Sequence, residues 1–333
     1  MNKNNALPTV SALTGALIWG LIWYPYRVLQ EAGVSGTLAT LITYLLAMLC
    51  GMFMLPRVWR ELHPPGIRRG YKGPITKSGN LLLNLLSAKL TQPQQHTQPR
   101  AGWWAFLLVF CAGWTNFGYV LAVLYGEVMR VLLLFYLAPL WTVLFSYWLL
   151  GERLNRYGYL VMSLSLSGAV IMLWEPQRGL PLPQSPAEWI GLSAGMAFAL
   201  SNVVSRRAAH LSLQTKSYSV WLGTVMLTAI LLYWQGGLTD RLQAISTDSW
   251  LLLGLLGIVL CCSTFALQYA IANLTANRAI ILFLFELVVA AISSYFLAHE
   301  VMHLRDWIGA LLIVSASLLS GRLREHENIR QRQ

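Results

Sequence analysis

The sequence predicts an all-α membrane protein with ten transmembrane helices in two five-helix repeats. Three observations lead to this fold class. First, the 333 residues are 56% hydrophobic and only 11% charged, which is unlike an ordinary soluble domain. Second, the apolar residues are grouped in segments of about 20, the length that an α-helix needs to cross a bilayer. Third, a long stretch of the chain occurs twice, which indicates a duplicated architecture.

The apolar segments divide evenly between the two halves of the chain. Their approximate bounds are 8–29, 36–56, 102–123, 127–150, 157–174, 187–208, 218–235, 250–272, 276–297 and 304–320. We therefore expect a first repeat over residues 8–174, a second repeat over 187–320 and a tail over 321–333. A basic insert at 57–100 interrupts the first repeat.

The duplication is clearest over residues 130–174, which align without a gap on 278–322 at an offset of 148. A second match, at an offset of 179, places WGLIWYPYR of the first helix over FALSNVVSR of the sixth. Because each repeat has an odd number of helices, the second must enter the bilayer from the opposite side. We expect inverted repeats, related by a two-fold axis in the membrane plane, with a binding site near the midplane where they meet. This parity favours a transporter.

The distribution of basic residues predicts the orientation of the chain. The net charge is +11, but in a membrane protein Lys and Arg collect on the cytoplasmic side. With the N-terminus inside, most of the 24 Lys and Arg residues lie on that side. We therefore predict that both termini are cytoplasmic and that the basic insert contacts anionic lipid. We expect no nucleic-acid partner. No cleavable signal peptide is visible.

Aromatic and polar residues inside the apolar segments are the candidate substrate contacts. They lie on the first, third, sixth and eighth predicted helices, and those of the first helix share one face. The candidates are Trp19, Trp23, Tyr26, Trp114, Asn116, Phe198, Asn202, Gln268 and Tyr269. A structural role stays open for each, because Trp and Tyr collect at membrane surfaces and lone polar residues often hydrogen-bond a neighbouring helix.

Glu286 is unusual among the 13 carboxylates because it lies near the centre of a predicted membrane helix. Burying an ionised group there costs about 2.5–3.5 kcal/mol or more, so the carboxyl is expected to be protonated, paired or facing an aqueous cavity. Either Glu286 contacts substrate or carries a proton during transport, or a neutral Glu286 hydrogen-bonds a neighbouring helix. Its mirror position is Ala138, followed by Pro139, which is expected to kink its helix.

Two arginines occupy matching positions, Arg130 and Arg278, each near the start of a predicted helix. A cation there opposes the helix dipole, which suggests a partner. Glu127 or Glu31 is the candidate partner of Arg130, and a lipid phosphate or substrate carboxylate that of Arg278. Both arginines are candidate gating residues, although snorkelling to the interface explains them nearly as well.

One motif indicates a different chemistry. Residues 299–303 read HEVMH, a match to the HExxH pattern of zinc proteases. The mirror segment 151–155 reads GERLN, so only the glutamate recurs, as expected for a turn required by the fold. Asp306 is too close to serve as the distant third ligand, and the four cysteines lie inside predicted helices without metal-ligand spacing. We expect no metal or other cofactor and no enzyme, and keep a membrane metalloprotease as an alternative.

Several segments resemble the drug/metabolite transporter superfamily, specifically its ten-helix EamA-type branch. The similar segments are ALIWG at 16–20, YLAPLWTVLFSYWLLGERL at 136–154 and FLFELVVAAISSYFLAHE at 283–300. Where each half of the family usually has Glu-Pro, this sequence has Ala138-Pro139 and then Glu286-Leu287. The resemblance implies export of small metabolites, such as amino acids, or of drugs, by alternating access without ATP.

We therefore expect a secondary transporter in a bacterial cytoplasmic membrane that exports a small amphipathic metabolite through a cavity between the repeats. A monomer or weak dimer is expected. The nearest alternative is a multidrug exporter. A sensor or scaffold that does not transport, and that uses the basic insert to recruit partners, is a further alternative.

Overall fold

A computed structural model of the chain describes residues 3–62, 101–126, 128–173, 182–297 and 303–320. This part of the chain is helical and contains no β-strand. The first half contains α1 (Lys3–Glu31), α2 (Gly36–Cys50), α3 (Leu55–Leu62), α4 (Ala101–Tyr125), α5 (Val128–Phe135), α6 (Ala138–Leu150) and α7 (Arg156–Leu173). The second half contains α8 (Pro186–Arg207), α9 (Leu213–Gln235), α10 (Leu238–Gln243), α11 (Thr247–Asn273), α12 (Ala276–Phe283), α13 (Phe285–Leu297) and α14 (Leu304–Leu319).

The described residues contain eight spans long and apolar enough to cross a membrane, if Val131–Leu150 (α5 with α6) and Ala276–Leu297 (α12 with α13) each count as one. The number is nine if a pair bent by 46° also counts as one span. The bent pair is α2 with Met52–Leu62, where the chain turns at Gly51. The tenth predicted segment forms α14, whose 16 residues extend about 24 Å, less than a hydrocarbon core of about 30 Å. The all-helical membrane architecture is confirmed. The number ten and the cytoplasmic termini stay predictions.

Helix ends follow local sequence signals. Four helices begin at a serine whose hydroxyl accepts a backbone N–H of the first turn, which stabilises the helix start. These serines are Ser35, Ser185, Ser212 and Ser246. At the other end of a helix, Gly151 terminates α6 with a left-handed φ of 69°.

Contacts between helices repeat when the two halves are exchanged. α4 packs on α8 as α1 packs on α11, and α4 packs on α9 as α11 packs on α2. In the same way, α6 packs on α8 as α13 packs on α1. Two further contacts, α2 with α9 and α7 with α14, join helices that are equivalent in the two halves. The duplicated sequence therefore folds into a duplicated contact pattern.

Equivalent helices α7 and α14 run in opposite directions where they touch. The hydroxyl of Tyr157, at the start of α7, donates to the carbonyl of Leu319, at the end of α14, at 2.9 Å. Farther along α7, Gly168 lies against Gly309 near the start of α14. Antiparallel packing of equivalent helices is the geometry that insertion of the two halves from opposite sides requires.

The short helix α3 is held onto the start of α9. Glu61 accepts hydrogen bonds from the backbone N–H and the hydroxyl of Ser212, both at 2.7 Å, and from the hydroxyl of Thr215. Its carboxylate thus lies at the N-terminus of α9, where the helix dipole favours an anion. Residues 63–100 of the predicted basic insert lie outside the described residues.

Candidate functional site

Two helices are interrupted at matching places in the two repeats. In the first repeat α5 ends at Phe135, and α6 begins at Ala138 after a turn through Tyr136 and Leu137. In the second repeat the chain turns at Leu284, between α12 and α13. Interrupted helices at membrane depth are tolerated where they are buried in protein or line a cavity. These two interruptions are therefore the natural centre of a site.

Pro139 explains the first interruption. It is buried near the start of α6, and it has no N–H to donate to the preceding turn. Just before it, the N–H of Leu137 donates to the carbonyl of Leu134 at 3.3 Å, an i→i−3 bond that makes a tighter turn than the α-helix. The helix is thus interrupted just before Pro139. A gating role for this residue stays a prediction.

A hydrogen bond joins the two interruptions across the repeats. The hydroxyl of Tyr136 donates to Oε1 of Glu286 at 2.8 Å. Glu286 lies in the first turn of α13, where the helix dipole favours a carboxylate. Glu286 is partly buried. Its carboxylate therefore has a neutral hydrogen-bond partner from the other repeat.

Aromatic rings from both repeats surround this contact. The ring centroid of Phe135 lies 5.2 Å from that of Tyr119, 5.4 Å from that of Tyr136 and 5.5 Å from that of Phe198. Phe198 in turn lies 6.2 Å from Phe283. Such separations are typical of favourable ring contacts, and the faces of the rings attract cations. We call Tyr119, Phe135, Tyr136, Phe198 and Phe283 the aromatic cluster.

Further residues that were predicted to contact substrate lie on α8 and α11, beyond the aromatic cluster. Asn202 follows Phe198 by one turn of α8 and is 7% exposed, and its Nδ2 has no hydrogen-bond partner within the described part of the chain. One turn further, the hydroxyl of Ser205 donates to Oε1 of buried Gln268. Tyr269 is half-buried beside it on α11. A buried amide donor without a partner is available to a ligand or a water molecule.

The three residues of α1 that were predicted to contact substrate pack against neighbouring helices. Nε1 of Trp23 donates to the hydroxyl of Ser293 on α13 at 2.9 Å. The hydroxyl of Tyr26 is 2.8 Å from that of Thr43 on α2. Trp19 packs against a hydrophobic cluster between α2, α9 and α11. These contacts are structural, and a role in substrate binding stays a prediction for the three residues.

The third predicted helix contributes similar links. Nε1 of Trp114 on α4 donates to the hydroxyl of Ser193 on α8 at 3.0 Å. The hydroxyl of Tyr44 on α2 donates to Oδ1 of Asn116 at 2.8 Å. Both α4 side chains thus tie this helix to a neighbour. Their role as substrate contacts also stays a prediction.

The two candidate gating arginines differ in what the structure describes. Arg278, in α12, is 4% exposed, and its Nη2 donates to the hydroxyl of Thr9 on α1 at 2.9 Å. The side chain of Arg130 lies outside the described residues. Gating by either arginine stays a prediction.

Sequence reasoning did not single out Tyr136, Phe135 or Tyr119. The repeat offered one signal, because Tyr136 stands two positions before Ala138, the mirror of Glu286. A polar residue beside a predicted helix kink is a reasonable site candidate. Its partner across the repeat, however, becomes visible only in the fold.

The HEVMH segment is described only at its last residue. The backbone N–H of His303 donates to Oδ2 of Asp306 at 2.7 Å, so His303 caps the start of α14. His299 and Glu300 lie outside the described residues. Within the described ranges, His, Cys, Asp and Glu form no group of three that could hold a metal ion.

Together, the fold and this site define a class of protein. It is a multi-pass membrane protein with duplicated halves and an interrupted helix in each half, and the interruptions meet at a carboxylate. Secondary transporters are commonly built from such halves, with discontinuous helices at the binding site.

The chain belongs to the EamA-like transporter family, which it matches over residues 7–174 and 185–322. The resemblance seen in the sequence is thereby confirmed. An uncharacterized transporter of Archaeoglobus fulgidus is 29% identical over 208 residues, covering 61% of this chain and 71% of that protein. A crystal structure of a protein with 18% identity superposes with a TM-score of 0.68, covering 95% of this chain and 98% of its own. At that identity the superposition supports a shared fold alone.

Proposed function

We propose that this membrane transporter exports a small amphipathic metabolite, such as an amino acid, by alternating access. The observation that carries the proposal is the Tyr136–Glu286 hydrogen bond at 2.8 Å, which joins the helix interruptions of the two repeats. In inverted-repeat transporters the substrate site lies between the repeats, so that movement of one against the other exposes it to each side in turn. The cytoplasmic membrane is the proposed location.

The chemistry of the site fits a ligand with a positive and a polar end. The carboxylate of Glu286 and the faces of the aromatic cluster suit an ammonium group. Asn202, one turn of α8 from Phe198 and about 6 Å along the helix axis, offers an amide donor to a carboxylate or carbonyl. An amino acid carries both groups. A multidrug exporter is the second candidate, because the aromatic cluster also suits amphipathic cations.

Glu286 is the proposed coupling residue. A carboxylate that binds either a proton or a cationic group of the substrate, but not both together, links export of one to uptake of the other. Its hydrogen bond to neutral Tyr136 leaves the negative charge uncompensated by that partner. Coupling to a proton gradient follows from this exchange.

Flux in proteoliposomes tests the proposal. The purified protein is reconstituted and offered a library of labelled amino acids and amphipathic amines, with and without a pH gradient. We expect a subset to be transported, and Glu286→Gln to lower that flux about tenfold or more and to abolish its dependence on the gradient, because a charge-assisted contact of about 1.5–3 kcal/mol is lost.

Asp248→Asn is the matched control, since Asp248 is exposed at the start of α11. This variant should keep wild-type flux. Equal flux of Glu286→Gln and wild type at every pH would remove Glu286 from the mechanism. Absence of flux for the whole library would contradict the transport proposal for these substrate classes.

A further inference from the structure

One end of the helix bundle is tied together by an ion pair outside the proposed substrate site. Glu152 lies in the turn between α6 and α7 and accepts a hydrogen bond from Nε of Arg206 at 2.6 Å. Its second oxygen accepts the backbone N–H of Ala276 at 3.0 Å. Arg206 also donates from Nη1 to the carbonyl of Leu274. Two side chains thus connect the α6–α7 turn, the end of α8 and the link between α11 and α12.

The pair joins the two repeats to each other. Glu152 belongs to the first repeat, whereas Arg206, Leu274 and Ala276 all belong to the second. A relative movement of the repeats at this end therefore has to break these bonds. Asn202 lies one turn before Arg206 on α8, nearer the middle of that helix.

Local structure holds the glutamate in position. Gly151 ends α6 in a left-handed conformation, and the N–H of Glu152 donates to the carbonyl of Ser146 at 3.1 Å. The side chains of Arg206 and Glu152 are only 25% and 14% exposed. Partial burial weakens screening by solvent and salt, and charge-assisted hydrogen bonds are the stronger kind. The pair is therefore stronger than a typical surface ion pair.

The repeat supplies a comparison within the same molecule. At the offset of 179, Arg206 aligns with Arg27, near the end of α1. Arg27 donates to Glu31 of its own helix at 3.3 Å, and the two side chains are 53% and 69% exposed. Glu300, which aligns with Glu152, lies outside the described residues. Equivalent arginines thus make different contacts, since Arg206 joins the repeats and Arg27 pairs along α1.

We propose that the Arg206–Glu152 pair, with its bonds to Leu274 and Ala276, is a latch that keeps this end of the bundle closed and releases when this end opens. The inference rests on the proposed alternating access and adds the residues that control one of its two openings. Arg206 and Glu152 act on the position of the repeats, without touching the substrate. Opening at this end then gives access toward Asn202 and Gln268.

Accessibility of a single cysteine tests the latch without any substrate. Asn202→Cys is introduced after Cys50, Cys111, Cys261 and Cys262 are replaced by serine. A membrane-impermeant thiol reagent is then applied to sealed vesicles of each orientation, so that each end of the bundle is probed separately. With the latch intact, labelling from the Arg206 end should be slow.

Glu152→Gln is the informative variant, because its amide oxygen still accepts the N–H of Ala276 while the negative charge is lost. We expect labelling from the Arg206 end to accelerate about tenfold, corresponding to about 1.4 kcal/mol. Arg206→Lys, which keeps the charge but loses the fork of donors, should give an intermediate rate. Arg153→Ala is the matched control, since Arg153 is exposed and lies over the ring of Tyr147 at 5.3 Å. Its labelling rate should equal that of the reference.

Melting temperature and size-exclusion profile of each variant separate a latch from a merely structural contact. A lower melting temperature with an unchanged labelling rate in Glu152→Gln and Arg206→Lys would overturn the inference. A charge-reversed double variant, Glu152→Arg with Arg206→Glu, should restore slow labelling in part. Because labelling needs no substrate, a failure of the latch leaves the flux result for Glu286→Gln unaffected, and the reverse also holds.

Discussion

A negative charge at Glu286 is unfavourable in the membrane interior, but two features of the structure stabilise it. The first turn of α13 and the hydroxyl of Tyr136 at 2.8 Å provide favourable dipoles for the carboxylate. Neither neutralises its charge. A carboxylate that is stabilised in this way without an opposite charge can still bind a cation or a proton, which is the physical basis of the proposed coupling.

Tyr136→Phe tests the contribution of this hydroxyl. The ring packing against Phe135 is retained, but the hydrogen bond to Glu286 is lost. We expect the KM for transport to rise about tenfold, since a hydrogen bond to a charged group contributes about 1.5–3 kcal/mol. The dependence of flux on substrate concentration provides the measurement. Tyr147→Phe, at an exposed tyrosine of α6, is the control, and an unchanged KM in Tyr136→Phe would argue against a role for the hydroxyl.

Glu286 was predictable from the sequence and Tyr136 was not. A carboxylate in the middle of an apolar segment is rare, so one position in the linear sequence is enough to find it. Tyr136 is one of 14 tyrosines, and its place two positions before the mirror of Glu286 is only a weak signal. Its importance comes from a partner 150 positions away.

Among the helices, the pairing of α7 with α14 explains a feature of the sequence. At the offset of 148, Gly168 of α7 aligns with Ala316 of α14, and Gly309 of α14 aligns with Val161 of α7. In the structure these two glycines lie against each other, and a Cβ on Gly168 would be 2.7 Å from the carbonyl oxygen of Gly309. The positions without glycine, Val161 and Ala316, are fully buried in one hydrophobic cluster. Antiparallel packing thus brings Gly168 and Gly309 to the same crossing.

Gly168→Ala should therefore destabilise the protein. The added methyl group meets the backbone of α14, which cannot move aside as a flexible side chain would. We expect a loss of about 1–3 kcal/mol, measured as a lower melting temperature of the purified protein. Gly254→Ala in α11 is the control, because a Cβ there has nothing within 4 Å. Equal melting temperatures for both variants would show that the crossing tolerates a wider separation.

Across the whole molecule, the two halves share one contact pattern but differ at their ends. Arg206 joins the repeats at one end, whereas Arg27 pairs with Glu31 along α1 at the equivalent position. A transporter that works by alternating access has to be asymmetric in this way in every state that is closed on one side only. The inferred latch thus accounts for this difference between the two ends of the molecule.

Deleting residues 70–98 separates a transporter from a scaffold that recruits partners through the basic insert. The short helix α3 is held on α9 through Glu61, Ser212 and Thr215, contacts that the deletion leaves in place. The deletion removes no residue of the proposed substrate site or latch. We therefore expect flux in proteoliposomes to stay within about twofold of wild type, a difference of about 0.4 kcal/mol in the free energy of activation. Loss of flux from a folded deletion variant would instead assign the insert an essential role.

The sequence by itself determined the helical membrane architecture, the duplication and the position of Glu286. Each of these features has a local signal in the sequence. The signals are the length of the apolar segments, the recurrence of residues at a fixed offset and a carboxylate inside an apolar segment. Only the tertiary structure decided which residues meet: Tyr136 with Glu286, Gly168 with Gly309, and Arg206 with Glu152. The physical reason is that the spacing of residues within a helix fixes the face they share, while the neighbour of that face depends on how the helices pack against one another.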